Sequence, residues 1–371
     1  MAYEEITARL RTEVDSLRDP SSGCLHAETD PGRLNALDSL FLAWQRLERE
    51  PESARLALLT LKDFQGQVHD PVNGEAPGMI PSSCRPQLTP WSPWLTSDFQ
   101  VLETTPLFIL IACRLLADSK DRTLRDLLWP LISRACGWIN ENIRTGDSGL
   151  LFRAGDKPGT LVLNHRKKIR PATVAAVEIQ GYAYAALRRA AALAERFSEA
   201  DAADTWNGLA AGLQKKLSSD FWIRKDRYFA LAMKGRNMDA AVTSFPGQLL
   251  FTGILNKVQT EQIIRRLFRA DLFTPYGIRT RSSADRSFGA SLPQQGAVRP
   301  LDNWIISEGL RLAGRRREQT LIKTGLLRAY RELGRLPEYY AVSPAGQLSE
   351  IPEVPCPHAC ASAALLGLLE D

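Results

Sequence analysis

One period runs through almost the whole sequence. Apolar residues recur every three to four positions in stretch after stretch, with hardly an alternating, strand-like run between them. A chain patterned in this way must bury helices against helices. The pattern predicts helices over residues 3–17, 33–48, 51–64, 105–117, 124–143, 174–196, 199–217, 246–255, 260–268, 303–313, 318–333 and 359–369, with a short aromatic segment over 221–233. Long irregular stretches over 65–100, 144–171 and 273–299 follow alternate helices. Loops of that length inside a compact fold tend to be functional, and Trp91 and Trp94 argue that the first is ordered. Paired helices that close on themselves form an α/α toroid. Residues 107–116 and 174–186 suit its inner ring, and 202–217 and 316–331 its outer ring. The loops of a toroid gather at one mouth, where function resides on segments held by a rigid scaffold. No Pro/Ser linker divides the chain, so a single domain over 1–371 is expected.

The helix predicted over 174–196 carries Val177, Tyr184, Leu187, Ala191 and Ala194 at helical spacing. Glu178 and Gln180 sit among apolar residues in its first turns, and Gly181 costs helix stability where alanine would not. Either this end opens into a polar cavity, or Glu178 complements the positive end of the helix dipole. The net charge of +5 is too small to argue for nucleic acid. Cys24, Cys84, Cys113, Cys136, Cys356 and Cys360 are scattered, as reduced intracellular thiols are. Cys356 and Cys360 lack a second Cys/His pair at zinc-finger spacing. No apolar run approaches membrane-spanning length, and the stretch MAYEEITARLRTEV has no signal-peptide apolar core. A cytoplasmic protein is expected, with no membrane or nucleic-acid partner. No phosphate loop, metal motif or nucleotide fingerprint occurs, so neither cofactor nor metal is expected.

Several stretches carry a family resemblance. They are EAPGMI with Arg85, ETTPLF (103–108), VEIQGYAYAAL (177–187), FW with YFALAM, FPGQLLFTGI (245–254), GIRTRS (277–282), GAVRPLDN (296–303), RLPE (335–338) and the P-x-A pattern within 357–361. Together they resemble the amylo-α-1,6-glucosidase-type C-terminal domain of glycogen debranching enzymes and related six-hairpin glycosidases, in family order over nearly the whole chain. The resemblance implies an all-α (α/α)6 barrel and hydrolysis of glycosidic bonds, generally with inversion. Inversion needs a carboxylic acid for the leaving oxygen and a carboxylate base far enough away to hold a water between them. Acidic residues near the proposed mouth are Asp98, Glu103, Glu178, Asp302 and Glu338. Glu338, in RLPE, occupies the position that the resemblance gives to the base; without it, Glu338 would read as a solvated glutamate after a helix stop. Asp302 with Asn303 matches a pair that binds sugar hydroxyls in the family, and would equally cap the helix over 303–313.

The chain also departs from the family. Where a Gly-Trp-Lys-Asp-Ser run supplies the general acid, it reads Arg166, Lys167, Lys168, Ile169, Arg170, so Ile169 replaces the acid and Lys167 the sugar-stacking tryptophan. Ser82 and Ser83 replace a His-Glu pair, and Cys360 a tryptophan. The family's Tyr-His-Asn-Gly-Ser-Val-Trp-Pro-His-Asp-Asn run becomes Pro293, Gln294, Gln295, Gly296, Ala297, Val298, Arg299, Pro300, Leu301, Asp302, Asn303. Aromatic platforms are thinned and cations take some of their places, which favours an anionic ligand. The basic loop around His165 and Lys167 reads equally as a solvated face.

The first expectation is a glycoside hydrolase for a small or modified, anionic glycoside, with Glu338 as base and the acid relocated to Glu178 or Glu103. Asp302, Asn303, Arg299, Gln294, Glu103, Arg85, His165 and Lys167 would bind a small-molecule or oligosaccharide ligand, and Glu338, Asp302, Glu178 and Arg299 would converge. An isomerase or biosynthetic enzyme for an anionic metabolite on the same pocket, or a carbohydrate-binding protein without catalysis, remains open, because one scaffold hosts many activities.

Overall fold

The computed structural model describes residues 3–27, 30–85, 97–146, 148–152 and 174–370. Its helices are α1 (Tyr3–Leu17), α2 (Ala36–Arg46), α3 (Pro51–Leu61), α4 (Thr104–Asp118), α5 (Arg122–Thr145), α6 (Val177–Arg196), α7 (Ala200–Lys216), α8 (Lys257–Leu267), α9 (Pro300–Leu312), α10 (Arg316–Leu333) and α11 (Ala359–Glu370). These fall within a few residues of the helices predicted from the period. The differences have local causes. Residues 33–35 belong to a strand, Asp30–Asn35, and Asn35 caps α2 by accepting from the Asp38 N–H. The segment predicted over 246–255 is a 3-10 helix, Phe245–Phe251, with Pro246 in its first turn. The aromatic segment folds as a hairpin, Trp222–Ile223 against Tyr228–Phe229, with Arg227 at φ 48° in the turn. None of the described helices is long and apolar enough to cross a membrane.

The chain falls into two compact units. The first comprises residues 17–175 and 182–216. In it, short antiparallel strands pair in the order Leu25–Ala27, Asp30–Asn35, Ser83–Cys84, Ser97–Asp98. Helix α4 is buried continuously from Thr104 to Cys113, as an inner position requires. Asp121 caps α5 by accepting from the Leu124 N–H. The Trp129 ring meets Phe197 edge-on at 4.9 Å and Trp206 at 5.7 Å, and its Nε1–H donates to Glu199 at 2.7 Å. Arg18 and Arg46 both donate to the Glu50 carboxylate, each at 2.7 Å. Burial pushes the Glu50 carboxyl up, and the hydrogen bonds and charges of the two arginines outweigh it, leaving it below its ordinary value.

The second unit comprises residues 1–16, 176–181 and 217–371. Helix α11 is apolar all round and buried from Ala359 to Leu369, as a helix without a polar face must be. Helix α1 lies against it: the Tyr3 hydroxyl donates to the Leu369 carbonyl, Arg11 pairs with Glu370 at 2.8 Å, and the Ser362 hydroxyl donates to Glu13 at 2.7 Å. That face of α1 buries Ile6, Leu10 and Val14. Helix α8 opens with a capping box between Asn256 and Gln259. Helix α10 is amphipathic, burying Ile322, Leu326, Ala329 and Tyr330, and stops at Gly334, whose φ of 75° suits a residue without a Cβ. Isolated antiparallel bridges join Thr243 to Arg281, Arg279 to Val298, and Val298 to Tyr340.

Candidate active site

Helix α9 begins three residues earlier than its apolar period predicts. Pro300 occupies its first turn and Arg299 stands at the N-cap in extended backbone, φ −109°, ψ 116°, so Asp302 and Asn303 lie inside the first turn. Asp302 there complements the positive end of the helix dipole. The bridge between Val298 and Tyr340, with N–H···O distances of 2.9 and 3.0 Å, brings the segment after α10 alongside Arg299. Glu338 is further fixed by its N–H, which donates to the Pro355 carbonyl at 3.1 Å.

One guanidinium therefore meets two carboxylates. Arg299 Nη1 donates to Asp302 Oδ1 at 3.4 Å, and Nη2 to Glu338 Oε1 at 3.3 Å. Exposure divides the carboxylates: the Asp302 side chain is 6% exposed and that of Glu338 32%. Asp302 Oδ2 is buried without a hydrogen-bond partner among the described residues. Burial pushes the Asp302 carboxyl up; Arg299 opposes the shift and Glu338 adds to it, for a net rise. Asp302 thus holds its proton more tightly than a solvated aspartate, while half-buried Glu338 faces accessible space. Tyr339 shares this field, its hydroxyl pushed up by burial and by Glu338.

Asn303 takes a different part. It is fully buried, accepts from the Ile278 N–H at 2.7 Å, and donates to the Ile278 and Arg299 carbonyls, both at 2.9 Å. Its amide ties the Gly277–Ile278 strand to the Arg299 backbone at the start of α9, and a sugar hydroxyl would have to compete with those bonds. Gln294 lies half-buried in the turn between Gly289 and Gln295, whose carbonyl accepts from the Gly289 N–H at 2.8 Å.

Glu178 lies in the first turn of α6, 4% exposed, where the preceding Val177 N–H donates to the Leu231 carbonyl at 3.0 Å. Gly181 is explained by packing: a Cβ there would stand 2.5 Å from Leu249 Cδ2. Of the apolar stripe expected on α6, Val177, Leu187, Ala191 and Ala194 are buried, whereas Tyr184 is half-buried and Tyr182 takes the interior position. The other unit holds Glu103, at the N-cap of α4 without a side-chain cap bond, and Arg85, which pairs with Asp30. His165 and Lys167, with Trp91 and Trp94, lie outside the described residues. Sequence reasoning took Asp302 only as a sugar ligand or cap. Its raised carboxyl comes first from burial, against the pull of Arg299, and burial of a single residue at a helix start leaves no mark in the sequence.

A sequence profile described as Mannosylglycerate hydrolase MGH1-like glycoside hydrolase domain matches residues 36–342. The chain belongs to this glycoside hydrolase family, one of the six-hairpin glycosidases related to the amylo-α-1,6-glucosidase type. Its structure is similar to that of GH63 mannosylglycerate hydrolase from Thermus thermophilus. Against the complex with glucose the TM-score is 0.72 at 16% identity, covering 98% of this chain and 99% of the other. Against the complex with Tris it is 0.74, and against that with Tris and D-glycerate 0.73, at the same identity and coverage. These likenesses show the fold, an all-α (α/α)6 toroid, as the helical period and the resemblance imply. No curated protein matches the sequence.

Proposed function

We propose that this family member hydrolyses a small glycoside whose aglycone carries a carboxylate, of the mannosylglycerate kind, with inversion at the anomeric carbon. The observation that carries the reading is Arg299, held between Asp302 and Glu338 where the resembled glycosidases have an aromatic residue. Its ion pairs to these two carboxylates are long, 3.4 and 3.3 Å, so a substrate carboxylate can compete with them for the guanidinium in a charge-assisted arrangement. The D-glycerate in one Thermus complex is a carboxylate of that class.

In this reading Glu338 takes a proton from the attacking water as the new C–O bond forms and the glycosidic C–O bond breaks. Glu178 gives a proton to the leaving oxygen, in place of the acid that Ile169 has replaced. Asp302, whose carboxyl burial pushes up, hydrogen-bonds a sugar hydroxyl. Gln294, Glu103, Arg85, His165 and Lys167 are proposed to complete the binding surface. The profile match over 36–342 draws on both compact units, which supports reading the chain as one domain, and calorimetry should then show a single unfolding transition. No disulfide joins the six cysteines and five of them are buried, in keeping with a cytoplasmic setting.

The experiment is turnover of a hexosyl-glycerate and of its neutral hexosyl-glycerol analogue, with the anomer of the released sugar followed by NMR. The reading expects preference for the acid and the inverted anomer first. A preference for neutral maltooligosaccharides would reject the anionic substrate, and first release of the retained anomer would reject the mechanism.

A further inference from the structure

A second arginine of the same unit carries a buried charge for which the proposed site has no use. Arg279 is 2% exposed. Its Nη2 donates to the Ser343 carbonyl over a long 3.4 Å, and its guanidinium lies 5.3 Å from the centroid of the Phe288 ring. Nε and Nη1 are buried without a hydrogen-bond partner, and no carboxylate of the described residues lies within ion-pair distance. Asp271 acts on this charge only through space, and the nearby carboxylates make their hydrogen bonds elsewhere. Asp271 takes both arms of Arg266, at 2.9 and 2.5 Å, and the Ser282 hydroxyl. Asp285 takes Arg281 Nη1 at 3.3 Å and the Ser287 N–H at 2.8 Å. The Nε of Arg281, two residues on, is likewise buried without a partner among the described residues.

A guanidinium stays protonated even when burial pushes its pKa down, as it does here. A buried charge without a counter-ion is costly, and water in its place would solvate the charge without neutralising it. Arg279 and Val298 face each other across an antiparallel bridge, so their side chains leave the same face. Arg299, next along the extended chain from Val298, leaves the opposite one. The Arg279 charge is therefore separate from the Arg299 cluster.

We infer that Arg279, backed by Phe288 and flanked by Arg281, is a built site for one small oxyanion, a carboxylate or an inorganic phosphate, distinct from the substrate site. The bound anion would supply the missing counter-charge and brace the segment that leads through Val298 to Arg299.

The test is thermal unfolding of the full chain at constant ionic strength, with sodium phosphate and sodium acetate titrated against chloride. The wild type and Arg299→Gln should both show a saturable rise in Tm of about 2 °C at ten times the Kd. The rise should vanish in Arg279→Gln and survive in part in Arg279→Lys. A rise with phosphate alone assigns a tetrahedral anion, and a rise with acetate as well assigns the carboxylate class. No saturable rise in the wild type, a rise that survives Arg279→Gln, or one lost with Arg299→Gln would each overturn the site. Should Arg279→Gln not fold, a selenate soak of wild-type crystals decides. An anomalous peak at the Arg279 guanidinium supports the site, and peaks only elsewhere overturn it.

Discussion

Around Glu50 two arginines serve one carboxylate, while around Arg299 one guanidinium serves two. The same chemical pieces, counted differently, give opposite electrostatics. The Glu50 carboxyl ends below its ordinary value and the Asp302 carboxyl above. The first arrangement ties Arg18 and the end of α2 to the residue that precedes α3. The second leaves a buried acid with one oxygen unpartnered, and a half-exposed glutamate at its side. Strain of this kind lowers stability and is kept where a reaction uses it.

The largest expected effect tests whether the second cluster is catalytic. Glu338→Gln should lower hydrolysis of the anionic glycoside by about 10²–10⁴-fold, the range for a general base, with circular dichroism unchanged. Undiminished turnover would make the Arg299 cluster as structural as the Glu50 one. Next, Arg299→Gln should lower kcat/KM for the anionic glycoside by roughly 10–100-fold, the loss of one charged hydrogen-bond partner, and for the neutral analogue far less. Equal losses on both substrates would point to Arg299 acting only through Glu338.

Two smaller effects concern stability and carry opposite signs. Glu50→Gln should cost about 2 kcal/mol at neutral pH in a denaturant titration, below the range for a fully buried pair because this one is part exposed. The stability that Glu50 adds is fully present above its ordinary value of 4.5 and is lost as the pH falls through its lowered folded value, so the cost should shrink in acid. Asp302→Asn should instead stabilise, by about 1 kcal/mol at neutral pH. Its raised carboxyl favours folding fully below its ordinary value of 3.8, and that advantage is lost as the pH rises through the folded value, so the gain from asparagine should grow with pH. If both variants move stability the same way, the contrast between the clusters fails.

The fold was legible because helical burial writes itself into the sequence as a period: α4 and α11 are apolar where they are buried. The ion pair of Arg299 with Asp302 spans three residues at a helix start and was within reach of pattern reasoning. That with Glu338 spans 39 residues and depends on one isolated bridge, Val298 to Tyr340, which leaves no periodic trace. Asn303 shows a converse gap. Motif matching named it a sugar ligand, and its amide also holds backbone partners that only the fold supplies. Arg279 passed unnoticed inside GIRTRS, because a sequence motif does not say which of its charges lack a counter-ion.

The docking of α1 on α11 has a consequence for synthesis. Tyr3 meets Leu369 across 366 residues of chain, and Arg11 meets Glu370 across 359. At about 5–20 residues per second, a ribosome makes α1 tens of seconds before its partner. Throughout that interval Ile6, Leu10 and Val14 have no native surface of α11 to cover them, so the nascent chain carries an uncovered apolar stripe. Helix α1 thus waits uncovered for a partner made some 366 residues later.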